Sequence, residues 1–593
     1  MYSFSQVLDH SIEIIVDGDY VTTKKSITVQ INNSSQKWLG EIEIPFQESY
    51  EPQIHEAVII NRQGEIVRKL KKKEITTQSI RSSISFYEDN YQKKFNLYWN
   101  EYPYKIKYSY SISEDNFIQL AWWYPLIAYN TPHFNCSLTL NVPGGFSFFS
   151  YISPQFDESN SKTEEGRTIY QWSLTNGFFH EPQHHSPHWR QLYPNILLMP
   201  KEFNYAKKGS AESWETYGNW IYRLNENKDQ LTFEEGQVVD QLTKGVVDQM
   251  EKVKILYNHL QSNTHYVNVS IEEGGLEPYP ASYVSYNGYG DCKALTIYMK
   301  ALLKHIGIPS YYCLVNAGIN APDVFTDYPS AQFNHVILAV PIGKDTVWLE
   351  NTNQSIPFNY LGTFTQGRKA LWVSENNSQL IATPKMTEED LKEYGKFDFV
   401  LSDSGTSVTI RHLLGGEKFE TYLSLSQIDN EEELIDFVRE SIDIKDLEII
   451  EYETLSTVEN KVEINLKAKC YNQSRSVGNY KIISHPKVEL PEINPVEKRH
   501  HPFKIPVVIN RQIDTNISIH DSSSNSIEFP TNTSLSSQFG EYEILYETDS
   551  RKIEIKERLH IYSQNYTKTE YLKFCEFINK VSSVQNKSSI LLK

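Results

Sequence analysis

Asn287-Gly288-Tyr289-Gly290-Asp291-Cys292-Lys293-Ala294-Leu295-Thr296 is the stretch on which the reading of this chain turns. Two glycines allow a tight approach, Asp291 is a favoured helix N-cap, and Cys292 becomes the first residue of the helix that follows. Leu295, Tyr298, Met299, Leu302, Leu303 and Ile306 recur at the spacing of one helical face, so the pattern predicts an amphipathic helix over residues 291–306. Gly307 stops it, with Pro309 just beyond. The location has chemical consequences for the cysteine. Unpaired backbone N–H groups and the positive end of the helix dipole favour the thiolate, and the backbone N–H of Cys292 is free to face an oxyanion.

Two further motifs lie downstream. Phe333-Asn334-His335-Val336-Ile337 puts a histidine at the start of a strand, and Trp348-Leu349-Glu350-Asn351-Thr352 puts a carboxylate at the end of the next. Adjacent antiparallel strands bring His335 and Glu350 side by side. A thiol acyl-transfer enzyme needs this set. The imidazole takes the thiol proton and later protonates the leaving group, while the acid fixes the imidazole tautomer. Asp345, on a turn, is the fallback acid. The other four cysteines have packing explanations. Cys136, Cys313 and Cys470 alternate with apolar neighbours as strand residues do, and Cys575 shares a helical face with Tyr571 and Ile578.

The flanks of this segment read differently. Up to about residue 180 the apolar residues alternate, as in Ile27, Val29, Ile31 and in Tyr104, Ile106, Tyr108, Tyr110, with turns such as Asp17-Gly18-Asp19 between. That predicts an antiparallel β-sandwich over residues 1–200. It closes on a connector, Glu181-Pro182-Gln183-His184-His185-Ser186-Pro187-His188-Trp189. Its histidines, with His180, are interrupted by two prolines and are not read as a metal site. Residues 201–385 read as an α+β unit, with helices over 214–224 and 246–260 ahead of the nucleophile helix and strands over 311–315, 334–340 and 346–349 behind it. Residues 386–593 return to alternation, at 408–410, 462–470 and 553–561, with an acidic helix over 431–444, a loop at 520–526 and a terminal helix over 568–581. The fold class is therefore multidomain α+β.

Composition narrows the function. The chain has 593 residues, and 75 acidic against 57 basic side chains leave a formal charge of −18, which argues against nucleic acid as the main partner. With 27 Phe, 39 Tyr and 10 Trp it has apolar surface enough to fold. Five cysteines with no CxxC spacing make neither a disulfide framework nor a thiolate metal site. No apolar run approaches the ~18 residues of a membrane helix. The opening Met1-Tyr2-Ser3-Phe4-Ser5-Gln6 lacks the features of a signal peptide, so the chain is expected to be either cytoplasmic or a form whose leader has been removed.

Gly290-Asp291-Cys292-Lys293 heading a helix, then Asn334-His335-Val336, then Trp348-Leu349-Glu350, resemble the core of the transglutaminase-like superfamily. The resemblance extends to a bacterial, mostly Bacteroidetes, architecture with a β domain of unknown function on each side. Phe539-Gly540-Glu541-Tyr542 and the closing Ile590-Leu591-Leu592 are similar to its C-terminal domain. It implies a papain-like thiol fold with Cys292 as nucleophile, His335 as base and Glu350 as orienting acid. The usual third residue is Asp, so Glu350 is one methylene longer. Where relatives often place an oxyanion-assisting Gln, in the segment from Tyr266 to Gly275, this chain has Ser270; with Asp291 as cap it completes the candidate site. A peptide or protein substrate, no cofactor and no metal are implied, with a location in the periplasm or at the cell surface. The alternative is a non-catalytic binding or assembly protein of the cell envelope, with a protein partner and a degenerate core.

Overall fold

The computed structural model describes residues 4–592 except 81–84, 89, 271–274, 403–404, 427–430, 445, 459, 472, 496–498, 521–525 and 550. Most of the 520–526 loop and the Ile271–Gly274 part of the oxyanion segment thus lie outside the described residues, and so does the side chain of Ser270.

The first strands, Gln6–Asp17 and Tyr20–Ile31, form a hairpin around Gly18, whose φ of +61° supplies the left-handed turn. They sit mid-way in an eight-stranded sheet. Its pairing is antiparallel except where Gln6–Asp17 runs parallel to Cys136–Pro143, the chain having re-entered the sheet after a long excursion. Two three-stranded sheets form the second layer. Ile42, Ile44 and Phe95 cover the half of the large sheet that carries Ile27, Val29 and Ile106. Ile196, Leu198 and Trp123 cover the half that carries Ile12, Leu138 and Leu140.

In the middle of the chain, among the described residues, five helices precede a five-stranded antiparallel sheet ordered Asp345–Leu349, His335–Ile342, Tyr311–Val315, Lys369–Trp372, Gln379–Ala382. Helix Cys292–His305 lays the predicted stripe on one face of this sheet, where Leu295, Met299 and Leu302 meet Val336, Leu338 and Val340. The alternate residues Cys313, Val315, Ile337 and Ala339 are buried on the other face, so these strands read as continuous apolar runs. The helix predicted over 246–260 begins at Gln249, because Asp248 caps it by accepting the Glu251 N–H at 3.1 Å.

The C-terminal third builds a second eight-stranded sheet, antiparallel apart from the Lys392–Ser402 and Ile509–Ile519 pair. Helices Gly416–Leu425, Glu431–Glu440 and Tyr571–Asn586 accompany it, and Cys575 is buried there. Its core also takes in Ile356 and Tyr360, from just beyond Glu350. The histidine-containing connector is no free tether. The His185 carbonyl accepts the Lys504 N–H at 2.8 Å, and Gln183 Oε1 accepts the N–H groups of His500 and His501 at 2.9 and 3.0 Å. The first and last thirds are therefore joined directly. Among the described residues no helix is long and apolar enough to cross a membrane.

Candidate functional site

The approach to Cys292 depends on both glycines, for different reasons. Gly288 takes φ +69° and ends helix Ala281–Asn287, a conformation side chains disfavour. Gly290 is needed for space, because a Cβ there would meet Ala294 Cβ at 3.0 Å and Val284 Cγ2 at 3.2 Å. Asp291 then caps the next helix through Oδ1, which accepts the Ala294 N–H at 2.8 Å, while Oδ2 pairs with Lys293 Nζ at 2.5 Å. Cys292 is the first helical residue and stays partly exposed, whereas Cys136, Cys313, Cys470 and Cys575 are buried; all five are free thiols.

Leu338 pairs with Leu349, and that register brings the start of one strand and the end of the other to the same edge. There His335 Nε2 lies 2.8 Å from Glu350 Oε2. The carboxylate is fully buried, and its second oxygen accepts the Thr352 N–H at 3.1 Å and the Thr352 hydroxyl at 2.6 Å. The Tyr257 hydroxyl donates to the Glu350 carbonyl at 2.6 Å, so the residue is fixed at both ends. Asn334 clasps Ala317 with its amide, accepting at 2.7 Å and donating at 3.0 Å, which steadies the residue next to His335.

Electrostatics follow from this geometry. Burial works against the charged form of His335, but the Glu350 charge, then hydrogen bonds to Cys292 and Glu350, outweigh it and raise its pKa to about 10. Glu350 shows the converse. Burial favours its protonated form, yet His335 and the Thr352 donors hold its pKa below the usual carboxylate value. With Nε2 bonded to Glu350, Nδ1 is the nitrogen left for the thiol. Tyr266 and Tyr312 flank the cysteine, and burial together with the nearby acidic groups keeps both phenols neutral. A thiol, an imidazole and a buried carboxylate thus stand in series.

Residues 236–350 match the Transglutaminase-like superfamily, residues 17–177 match the domain of unknown function DUF3857, and residues 480–592 match DUF3858. Its core is transglutaminase-like. A candidate protease from Parabacteroides distasonis superposes over 100% of both chains with a TM-score of 0.67 at 14% identity, a likeness of fold. A candidate cysteine protease from Cytophaga hutchinsonii overlaps 59% of this chain and 78% of its own, with a TM-score of 0.17 and 10% identity. Aminopeptidase A from Legionella pneumophila overlaps 34% of this chain and 22% of its own, with a TM-score of 0.20 and 11% identity. Those two overlaps are too slight to carry an inference. No curated protein matches the sequence significantly.

Within and around the transglutaminase-like core, the structure brings together Asp291, Cys292, His335 and Glu350. It gives only the backbone of Ser270, which pairs with Glu88 of the N-terminal third. Asp345 is exposed at the opposite end of its strand, away from His335, so it is no substitute acid. Among the described residues no group of three or more His, Cys, Asp or Glu side chains is placed to hold a metal ion. Tyr257 and Thr352 were not singled out by the sequence reading. The Glu-Asn-Thr spacing carried a local signal for Thr352, but Tyr257 is 93 residues from its partner and had none. A cavity of about 640 Å³ lies between Gly18, Phe117 and helix Trp214–Leu224 and includes none of the series.

Proposed function

We propose that this chain performs thiol-dependent acyl transfer on peptide or protein amides through an acyl-enzyme at Cys292. The observation that carries the reading is His335 held against a buried Glu350 at 2.8 Å, with the helix-starting Cys292 near enough to act on the imidazole. The Cys292 sulfur attacks the amide carbonyl, and the Cys292 N–H faces the resulting oxyanion, with Ser270 as second donor where relatives use Gln. The C–N bond breaks as the His335 proton passes to the departing amine, leaving a thioester. Water or an amine then attacks the thioester, gives its proton to His335, and expels the thiolate. Water gives a peptidase or amidase, and an amine gives a cross-link. The cleft's exclusion of water selects between them. In this reading residues 1–200 and 386–593 are β domains around a catalytic unit at 201–385, and the protein works in the periplasm or at the cell surface on envelope proteins or peptides.

An activated ester tests the chemistry without a known substrate. With p-nitrophenyl acetate, intact-mass and peptide analysis should find acetyl on Cys292, formed roughly 100-fold or more faster than in H335A. Equal rates in the two proteins would remove the enzyme and leave the binding or assembly role in the envelope.

A further inference from the structure

Beyond Glu350, where the transglutaminase-like match ends, the chain runs into a loop that touches both His335 and the C-terminal third. Phe364 on this loop lies with its ring centroid 5.7 Å from that of His335, tilted by 53°, and also packs on the C-terminal core. Its carbonyl accepts the Gly318 N–H at 2.7 Å, beside the Ala317 that Asn334 clasps. The ring is therefore located from two directions.

The loop is anchored by one side chain of another unit. Glu420, on helix Gly416–Leu425, accepts three hydrogen bonds: Tyr360 Oη to Oε1 at 2.9 Å, Thr363 N–H to Oε1 at 2.7 Å, and the Thr363 hydroxyl to Oε2 at 2.6 Å. Gly362 permits this approach. Its φ is +78°, and a Cβ there would lie 3.1 Å from Glu420 Oε1. Among the described residues, all donors to the Glu420 carboxylate come from residues 360–363, immediately ahead of Phe364.

We infer that Glu420, acting through Thr363 and Phe364, is a positioning residue for His335, so that the C-terminal domain sets the reactivity of Cys292. The inference rests on the acyl-transfer reading of the Cys292, His335 and Glu350 series. The physical link is shielding. The Phe364 ring keeps water from the imidazole, and in its absence solvent screens the attraction between His335 and Glu350 and weakens the hold on the proton. Loss of the anchor releases Thr363 and lets the ring drift off.

The test is the pH dependence of Cys292 alkylation by iodoacetamide, read by peptide mass spectrometry alongside the thermal midpoint. E420A and F364A should each move the alkylation midpoint up by about one pH unit, slowing the reaction about tenfold at pH values below the wild-type midpoint. E420Q should stay within about threefold of wild type, because its carbonyl oxygen still accepts the Thr363 N–H and the Thr363 hydroxyl can turn to accept from its amide. A merely structural Glu420 would lower the thermal midpoint of E420A and leave the alkylation midpoint where it was, and that result overturns the inference. Should E420A fail to fold, F364A decides alone, since it removes only the ring. If wild-type Cys292 itself titrates as an ordinary thiol, the acyl-transfer reading fails. A low, His335-dependent midpoint that neither E420A nor F364A moves refutes the positioning role alone.

Discussion

His412 is buried and His335 nearly so, its side chain 13% exposed, and each has a glutamate close enough to act on it, yet they are pushed in opposite directions. The His335 pKa is raised to about 10 and that of His412 is lowered to about 4. For both, burial is the largest influence and opposes the charge. The carboxylates differ in their commitments. Glu350 gives one oxygen to His335 and the other to the neutral donors of Thr352. Glu393 binds Lys418 at 2.9 Å and Arg511 at 3.1 Å, and Lys418 itself repels a proton on His412. His133, which accepts the Ile127 N–H at 2.9 Å and has no carboxylate bonded to it, is also lowered to about 4. Burial alone makes a neutral histidine. A buried acid free of other cations makes a charged one.

The sharpest way to break this comparison is E350Q. Losing the carboxylate charge leaves burial in command, so His335 should titrate below 6.5 by NMR instead of near 10, with the alkylation of Cys292 at pH 6 falling roughly 100-fold or more. A midpoint that stayed near 10 would show that Glu350 is not the cause. The two classes also differ in their effect on stability. For His335, whose folded pKa is raised, the stabilisation is full below 6.5 and lost as pH rises through about 10. For His412, whose folded pKa is depressed, the folded state is favoured above 6.5, and that advantage is lost as pH falls towards about 4.

A smaller effect follows from removing a neutral member. H412L keeps an apolar side chain at a site that is 6% exposed and eliminates one proton-linked loss. Acid unfolding should become shallower between pH 6.5 and 4, by at most about 3 kcal/mol. Hydrogen exchange in the strand Gly405–Leu414 is the local readout. An unchanged acid limb would mean that His412 is solvated and protonated in the folded protein.

Much of the fold was legible because its elements carry strong periodicity. The helix expected behind Asp291 starts at Cys292, and its predicted stripe is the one buried against the sheet. The cap, the glycines and the two strand motifs led to Asp291, Cys292, His335 and Glu350 by local rules. Helix Phe233–Thr243 escaped notice because it buries only Gly236, Val239 and Thr243, too little apolar surface to make a stripe. Helix Gly416–Leu425 opens on Gly415-Gly416, which reads as a turn. The connector at 181–189 could not reveal that it grips residues near 500, and neither could Glu420 reveal its hold on Thr363. Such contacts depend on how separate units meet, and no periodicity encodes that. The Glu393 ion pairs with Lys418 and Arg511 were hidden because they join residues 25 and 118 positions apart, whereas the partners of the Glu350 carboxylate lay within the motifs already read.

The central claim is that Cys292 and His335 form a thiolate–imidazolium pair. Its most direct test is the alkylation rate of all five cysteines against pH, resolved by peptide mass spectrometry, in the native protein and in H335A. Burial raises the Cys136 and Cys470 thiols to about 12 and about 11 and pushes Cys313 and Cys575 upward too, so these four should stay unreactive until the protein unfolds. The account predicts that Cys292 alone reacts, well below pH 7, and that H335A abolishes this. A Cys292 that titrates near pH 8.5 in both proteins, like a free thiol, would contradict it.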